Sequence, residues 1–340
     1  MTVGVEEEFL LVDPVTRRTA PRAEAVLKLT GPLPRGAKTH PELFSTQVEF
    51  ASGVCESGTE LREQLAEGRR VLALAAAREG LALVSSGTAI LTDPDIPVAD
   101  GERFGRIASR YGPLLGDYQV CGCHVHVGVA DRDTAIAVIN HLSVWLPVLL
   151  ALSASSPYSH GRDTGYASWR VMQQARLPGS GLTPWFADAA EYDEAAARLV
   201  ELGILVDGAM TFWLARPSPN FPTVEVRVAD ALATVDEAVQ QAALVEALVR
   251  YALAELAAGR EARPIPPQWA AAALWTAARH GLAGPAVDLR TGRAAKVFDL
   301  VNDLIALVAP GFAVRLPVPL SRDPEAAVDQ LIDSTTPEEK

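Results

Sequence analysis

The sequence predicts an α+β fold: an antiparallel or mixed sheet, helices on one face, and a polar cleft on the other. Three observations predict it. Four segments alternate apolar and polar residues with the two-residue period of a strand. Between and after them run long stretches with helix start and stop signals. In each of the four strands the polar row carries carboxylates, imidazoles or a guanidinium.

The central stretch is Pro222-Thr223-Val224-Glu225-Val226-Arg227-Val228. As a strand it turns Val224, Val226 and Val228 to a core, and Thr223, Glu225 and Arg227 to the other side. Near the N-terminus, alternation from Val3 puts Glu6 and Glu8 on one face and Val5, Glu7 and Phe9 on the other. Residues 43–51 oppose Gln47 and Glu49 to Val48 and Phe50. Residues 118–129 oppose His124 and His126 to Cys123, Val125 and Val127. If the strands share one sheet, these polar groups converge. Packed carboxylates repel one another and take up protons unless cations offset them. A carboxylate-rich set with an imidazole suits Mg²⁺ or Mn²⁺ better than structural zinc. A solvated strand face has a similar composition, and an H-x-H pair alone serves either case; four strands of the same polarity favour a site. Glu7 lies in the apolar row, so a sheet-edge position, solvated or ion-paired, is expected for it in place of a ligand role.

At 340 residues the chain suits one large domain or two small ones. No linker demands a cut, so residues 1–333 read as one domain and the polar 334–340 as a disordered tail. The net charge of −12 and the absence of any basic block argue against nucleic acid and anionic membrane as partners. The longest apolar run, residues 144–152, is too short to span a bilayer and contains Pro147. A strand beginning within about three residues of the start leaves no room for a signal peptide. Three cysteines, two of them in a C-x-C, make no disulfide framework; buried free thiols in a reducing cytoplasm are expected.

Helices are expected at 22–29, at 60–79 behind a Ser57/Glu60 capping box and stopped by Gly80, at 131–154 with a bend near Pro147, and at 191–202. Others are expected at 235–258 behind a Thr234/Glu237 box, and at 269–280, 294–308 and 324–332. Strands are expected at 81–84 and 209–214. The loops at 85–88 and 93–97 are irregular. The Gly/Ser/Pro-rich connector 153–184 is long, as functional loops often are, and concentrates Arg162, Tyr166, Arg170 and Arg176 as anion-binding groups. There is no P-loop, no dinucleotide-binding glycine motif, no nucleophile elbow and no H-E-x-x-H.

Gly4-Val5-Glu6-Glu7-Glu8-Phe9, Gln47-Val48-Glu49, the run Cys121 to Gly128, the run Gly161 to Ser168 and the run Pro222 to Asp230 occur in an order that resembles the type 2 glutamate–cysteine ligase family of bacterial carboxylate–amine ligases. The resemblance covers residues 2–258. It implies a glutamine synthetase-like catalytic fold, a curved, mainly antiparallel sheet with an open metal and ATP cleft. It also implies ATP-dependent amide formation on small amino-acid substrates through an acyl phosphate. Glu6, Glu8, Glu49, His124 and Glu225 would hold Mg²⁺ (Mn²⁺ as the alternative), with Glu42 as an outer partner. Arg227 and Glu225 would be catalytic, with Arg227 and His126 facing the nucleotide. Arg162, Tyr166 and Arg170 would bind the amino-acid carboxylate. Weak glutamate–cysteine ligase activity, a cytoplasmic location and a homodimer are further expectations. The chain departs from the family at Gly87-Thr88-Ala89-Ile90, where a His-Pro is common, and at Trp213-Leu214-Ala215-Arg216, where an acidic residue follows the tryptophan; both bear on substrate identity. The residues alone leave two alternatives open: a metal-dependent hydrolase, and a catalytically silent nucleotide-binding homologue.

Overall fold

The structure, a computed structural model, describes residues 1–336. Its main sheet has seven strands: β1 (Val3–Val12), β2 (Lys38–Pro41), β3 (Gln47–Ala51), β4 (Ala82–Val84), β5 (Gly122–Gly128), β6 (Ala215–Pro217) and β7 (Thr223–Asp230). Their order is β6-β7-β5-β1-β3-β2, and β4 pairs with the far end of β1. Every pairing is antiparallel. The helices are α1 (Ala23–Lys28), α2 (Gly58–Arg78), α3 (Glu102–Tyr111), α4 (Arg132–Leu142), α5 (Leu146–Ser153), α6 (Trp169–Gln174), α7 (Ala189–Glu201), α8 (Val235–Ala257), α9 (Pro267–His280), α10 (Val297–Val308) and α11 (Pro324–Thr335).

The alternation read from sequence decides the layering. Val5, Phe9, Leu11, Val48, Phe50, Val125, Val127, Val224 and Val226 are buried in one core with the apolar stripes of α2, α4, α5 and α8. The opposite face carries the acidic groups. Two smaller apolar clusters flank it: one joins Leu10, Cys121 and Tyr158 to α11, the other gathers around Ile107 and Tyr111 of α3. Among the described residues, no single helix is long and apolar enough to cross a membrane.

Several expectations are corrected. Residues 131–154 form two helices bent by 69°, not one. Pro147 sits in the first turn of α5, where its missing N–H costs no helical bond. Residues 294–296 belong to a hairpin with Pro285–Asp288, so α10 starts at Val297. The 209–214 region is a short helical turn followed by Phe212–Trp213, parallel to Ser180–Gly181; the main-sheet strand there is β6. The tail expected from Ser334 is helical through Thr335, whose buried hydroxyl accepts the Ser85 N–H at 2.9 Å; 337–340 lie outside the described residues. The Thr234/Glu237 capping box is complete, whereas Glu60 reaches back to the N–H of Glu56 and leaves only the Ser57 half of its box. All three cysteines are free and buried.

Glu7 is not at a sheet edge. It sits on the central strand, 2% exposed, paired with the fully buried Arg69 of α2. Arg69 uses all five N–H donors: two on Glu7 (3.2 and 2.6 Å) and three on the carbonyls of Ala233, Leu232 and Thr335. One guanidinium therefore ties β1, the segment after β7 and the end of α11 to α2.

Candidate active site

Strand register brings the acidic residues together. Across β1 and β5, Glu6 is paired with His124; across β1 and β3, Glu8 is paired with Glu49. Across β7 and β5, Glu225 is paired with His126, and across β6 and β7, Arg216 with Glu225. Between Val226 and Ala229 the β7 register shifts, so Arg227 and Val228 share the space opposite His124. Such a bulge re-aims a side chain, and here Arg227 Nη1 comes within 3.5 Å of His124 Nδ1 and contacts Glu225.

Two sets of ligand-type atoms result. In Glu6–His124–Glu225 and in Glu8–Glu49–His124, one atom from each residue lies within 4.8 Å of the others. His124 faces both, with Nδ1 3.3 Å from Glu6 Oε2 and Nε2 3.7 Å from Glu8 Oε1. Gly122 lets this happen. A Cβ there would meet an Arg170 nitrogen and His124 Nε2, and its N–H donates to Glu8 Oε2 at 2.5 Å. Asp230 anchors the far end of β7, accepting from the Ser155 N–H and the hydroxyls of Ser156 and Ser168 at 2.7–3.0 Å.

The donor set fits a divalent cation. His124 Nε2 and His126 Nε2 are buried without a hydrogen-bond partner, although Glu6 Oε1 lies 3.2 Å from the latter, out of hydrogen-bonding line. Burial, reinforced by Arg227, holds His124 below the usual histidine range, hence in the neutral form that can ligate. Burial opposes charge on His126 too, but Glu6 and Glu225 outweigh it and raise that imidazole. The carboxylates split. Glu6 is held low by His124 and His126 in spite of its burial, and Glu225 by Arg227 and Arg216. Burial and the charges of their acidic neighbours push Glu42 up to about 8 and Glu49 well above the carboxylate range.

A pH prediction follows from this split. A carboxyl raised in the folded state binds a proton that the unfolded chain has released. Stability therefore falls as pH rises from the unfolded value near 4.5 to about 8 for Glu42, and upward from near 4.5 for Glu49 as well. Without added metal, the melting temperature should drop from pH 5 to pH 8. Mg²⁺ should flatten that drop, because a bound cation favours the ionised carboxylates. A Mg²⁺-independent melting profile would contradict the cation assignment.

The three residues expected at the substrate carboxylate are not brought together. Arg162 is exposed on a two-residue hairpin strand. Tyr166 packs against Trp169 and Trp275, under the Arg279 guanidinium. Only Arg170 lines the cavity beside the acidic cluster; it is 1% exposed and donates to the Arg227 carbonyl at 3.2 Å. Arg216 is a site residue that the sequence does not signal. It grips Glu225 with two bonds (2.8 and 3.1 Å), a relation visible only once the β6–β7 register is known.

The model of the glutamate-cysteine ligase family 2 (GCS2) matches residues 2–311. The chain belongs to this family. A Saccharopolyspora erythraea relative named "Putative glutamate--cysteine ligase 2-2" is 53% identical over 313 residues, covering 91% of this chain and 80% of the relative. A Salinispora arenicola relative of similar designation is 45% identical over 311 residues, with coverages of 91% and 82%. Among solved structures, a Francisella tularensis glutamate–cysteine ligase in complex with AMP superposes with a TM-score of 0.68 at 15% identity, covering 98% of this chain and 81% of that one. A bifunctional glutathione synthetase from Pasteurella multocida gives 0.55 at 14% identity, covering 98% and 49%. At such identities these two neighbours bear on the fold alone.

Proposed function

We propose that this family 2 chain is an ATP-dependent carboxylate–amine ligase working through an acyl phosphate. The observation that carries the reading is the convergence of Glu6, Glu8, Glu49, His124 and Glu225 beside Arg227 on one sheet face. Those five residues would hold Mg²⁺ or Mn²⁺, whose charge would offset that of the phosphate groups.

The chain's own residues supply the rest. The Arg227 guanidinium, kept protonated by Glu225 in spite of its burial, presents a fixed positive charge to the transferring phosphoryl group. Glu225 holds both Arg227 and Arg216, so the charge is set before substrate arrives. A substrate carboxylate oxygen attacks the γ-phosphorus and ADP leaves. The amine nitrogen then attacks the acyl carbon, the bond to the phosphate oxygen breaks, and the amine gives up a proton. Glu42 lines the adjoining cavity and belongs to neither ligand triad, and a pKa of about 8 poises the ionised form of its carboxyl to take up that proton. Glutamate and cysteine, the pair in the relatives' names, are expected to react slowly.

The test is ADP release from Mg·ATP by purified protein with acids and amines supplied separately and together. Release that needs both supports the ligase. Cleavage of amides or esters with metal and no ATP would instead support a hydrolase, and ATP binding without turnover on any mixture a silent homologue.

A further inference from the structure

Next to the acidic cluster lies a cavity of about 230 Å³. A closed cavity of about 150 Å³ already accepts a benzene-sized guest. One wall is the polar sheet face, with Glu8, Glu42 and His124. The opposite wall is apolar: Phe104 and Ile107 of α3, Leu115, Leu177, Met210 and Phe212. These side chains belong to a cluster separate from the main core. The wall is held over the sheet by polar fastenings at its back. Arg103 pairs with Asp207 at 2.8 Å, and the Tyr111 hydroxyl donates to the Ile204 carbonyl at 2.7 Å.

The charges on the cavity's lining are unequal in their commitments. Arg103 is held by Asp207, while Arg216 and Arg227 are held by Glu225. Arg170 donates to the carbonyls of Arg227 and Val228. The cations on the wall are thus held by partners, Glu8 is committed to the proposed metal site, and Glu42, in neither ligand triad, is the lining carboxyl group left for an amine to meet. Tyr118, Gln174 and Thr211 line other parts of the cavity, but a polar side chain directed at the α3 wall would lie against hydrocarbon. An ammonium group joined to an apolar group would meet matching surfaces at both ends.

We propose that the amine substrate of this enzyme is a primary amine carrying an apolar group of leucine-to-phenyl size. Its nitrogen sits at Glu42 and its apolar group lies against Ile107, Met210 and Phe212. This inference rests on the ligase reading and narrows it to a substrate class.

The test pairs binding with turnover. Calorimetric titration with phenethylamine, 3-methylbutylamine and ethanolamine should show at least about tenfold tighter binding of the two apolar amines, as expected for burying one such group. Their KM in ADP release, against a mixed pool of carboxylic acids, should be lower than that of cysteine by a similar factor. Phe212→Ser and Phe104→Ser, both at half-buried positions, should erase the preference and leave the KM for ATP unchanged. Equal binding of the three amines overturns the inference, as does turnover confined to polar amines, which leaves the ligase reading intact. A rise in the ATP KM in these variants would assign the cavity to the adenine and overturn it too. Apolar amines bound with the stated preference but no ADP release with any acid would keep the ligand class and sink the ligase reading.

Discussion

Glu225→Gln and Arg227→Ala are each expected to lower ADP release by about 10²- to 10³-fold, the usual loss on removing one preorganised charge from a reacting centre. Glutamine keeps an acceptor for Arg216 and removes the charge that fixes both guanidinium groups. Glu225 is buried, and alanine there would strand two arginines, so glutamine is the cleaner variant. Far-ultraviolet circular dichroism should not change in either case. The two variants separate by a second readout. Glu225→Gln removes the charge of a proposed ligand and should shrink the Mg²⁺-induced rise in melting temperature. Arg227→Ala removes a competing cation from the His124 side and should leave that rise intact or enlarge it. Wild-type turnover in either variant would defeat the assignment of this face as the catalytic site.

Arg69→Met should have the largest effect on stability, about 3–5 kcal/mol in denaturant unfolding. The loss comes from isolating the Glu7 carboxylate, which is almost fully buried, and from stranding the three carbonyls that Arg69 now satisfies. Arg69→Met/Glu7→Leu should recover much of it, since a buried ion pair replaced as a unit by apolar groups of similar volume is often close to neutral. A loss below about 1 kcal/mol for the single variant would mean that Glu7 finds water or a proton with little strain.

The period-two alternation makes the layering and most of the candidate metal-binding face legible in the sequence. Glu6, Glu8, Glu49, His124 and Glu225 lie on the face that alternation assigns them, because a buried sheet face leaves the choice of side to the pattern alone. Register is not legible. The bulge at Arg227–Val228 and the clasp of Arg216 on Glu225 depend on which residues oppose which, and alternation carries no such information. Glu7 misleads for a related reason: a carboxylate in an apolar row signals a partner, but Arg69 is 62 residues away on a helix. The arginines and tyrosine of the 153–184 connector are alike in composition, and only Arg170, held by a buried helix, faces the cavity. The apolar wall escapes because α3 starts without a capping side chain and carries Gly105 in its middle. Phe104, Ile107 and Tyr111 do recur at helical spacing, but without a capping side chain the start of the helix is not marked in the sequence.

Glutamate labelled with ¹⁸O in its carboxylates, incubated with Mg·ATP, the protein, and either phenethylamine or cysteine, gives the most direct measurement of how the amide forms. If the carboxylate attacks the γ-phosphorus, each turnover leaves one ¹⁸O atom in the inorganic phosphate, and the label appears with ADP. Phosphate formed without label, or AMP formed in place of ADP, would contradict an acyl-phosphate ligase.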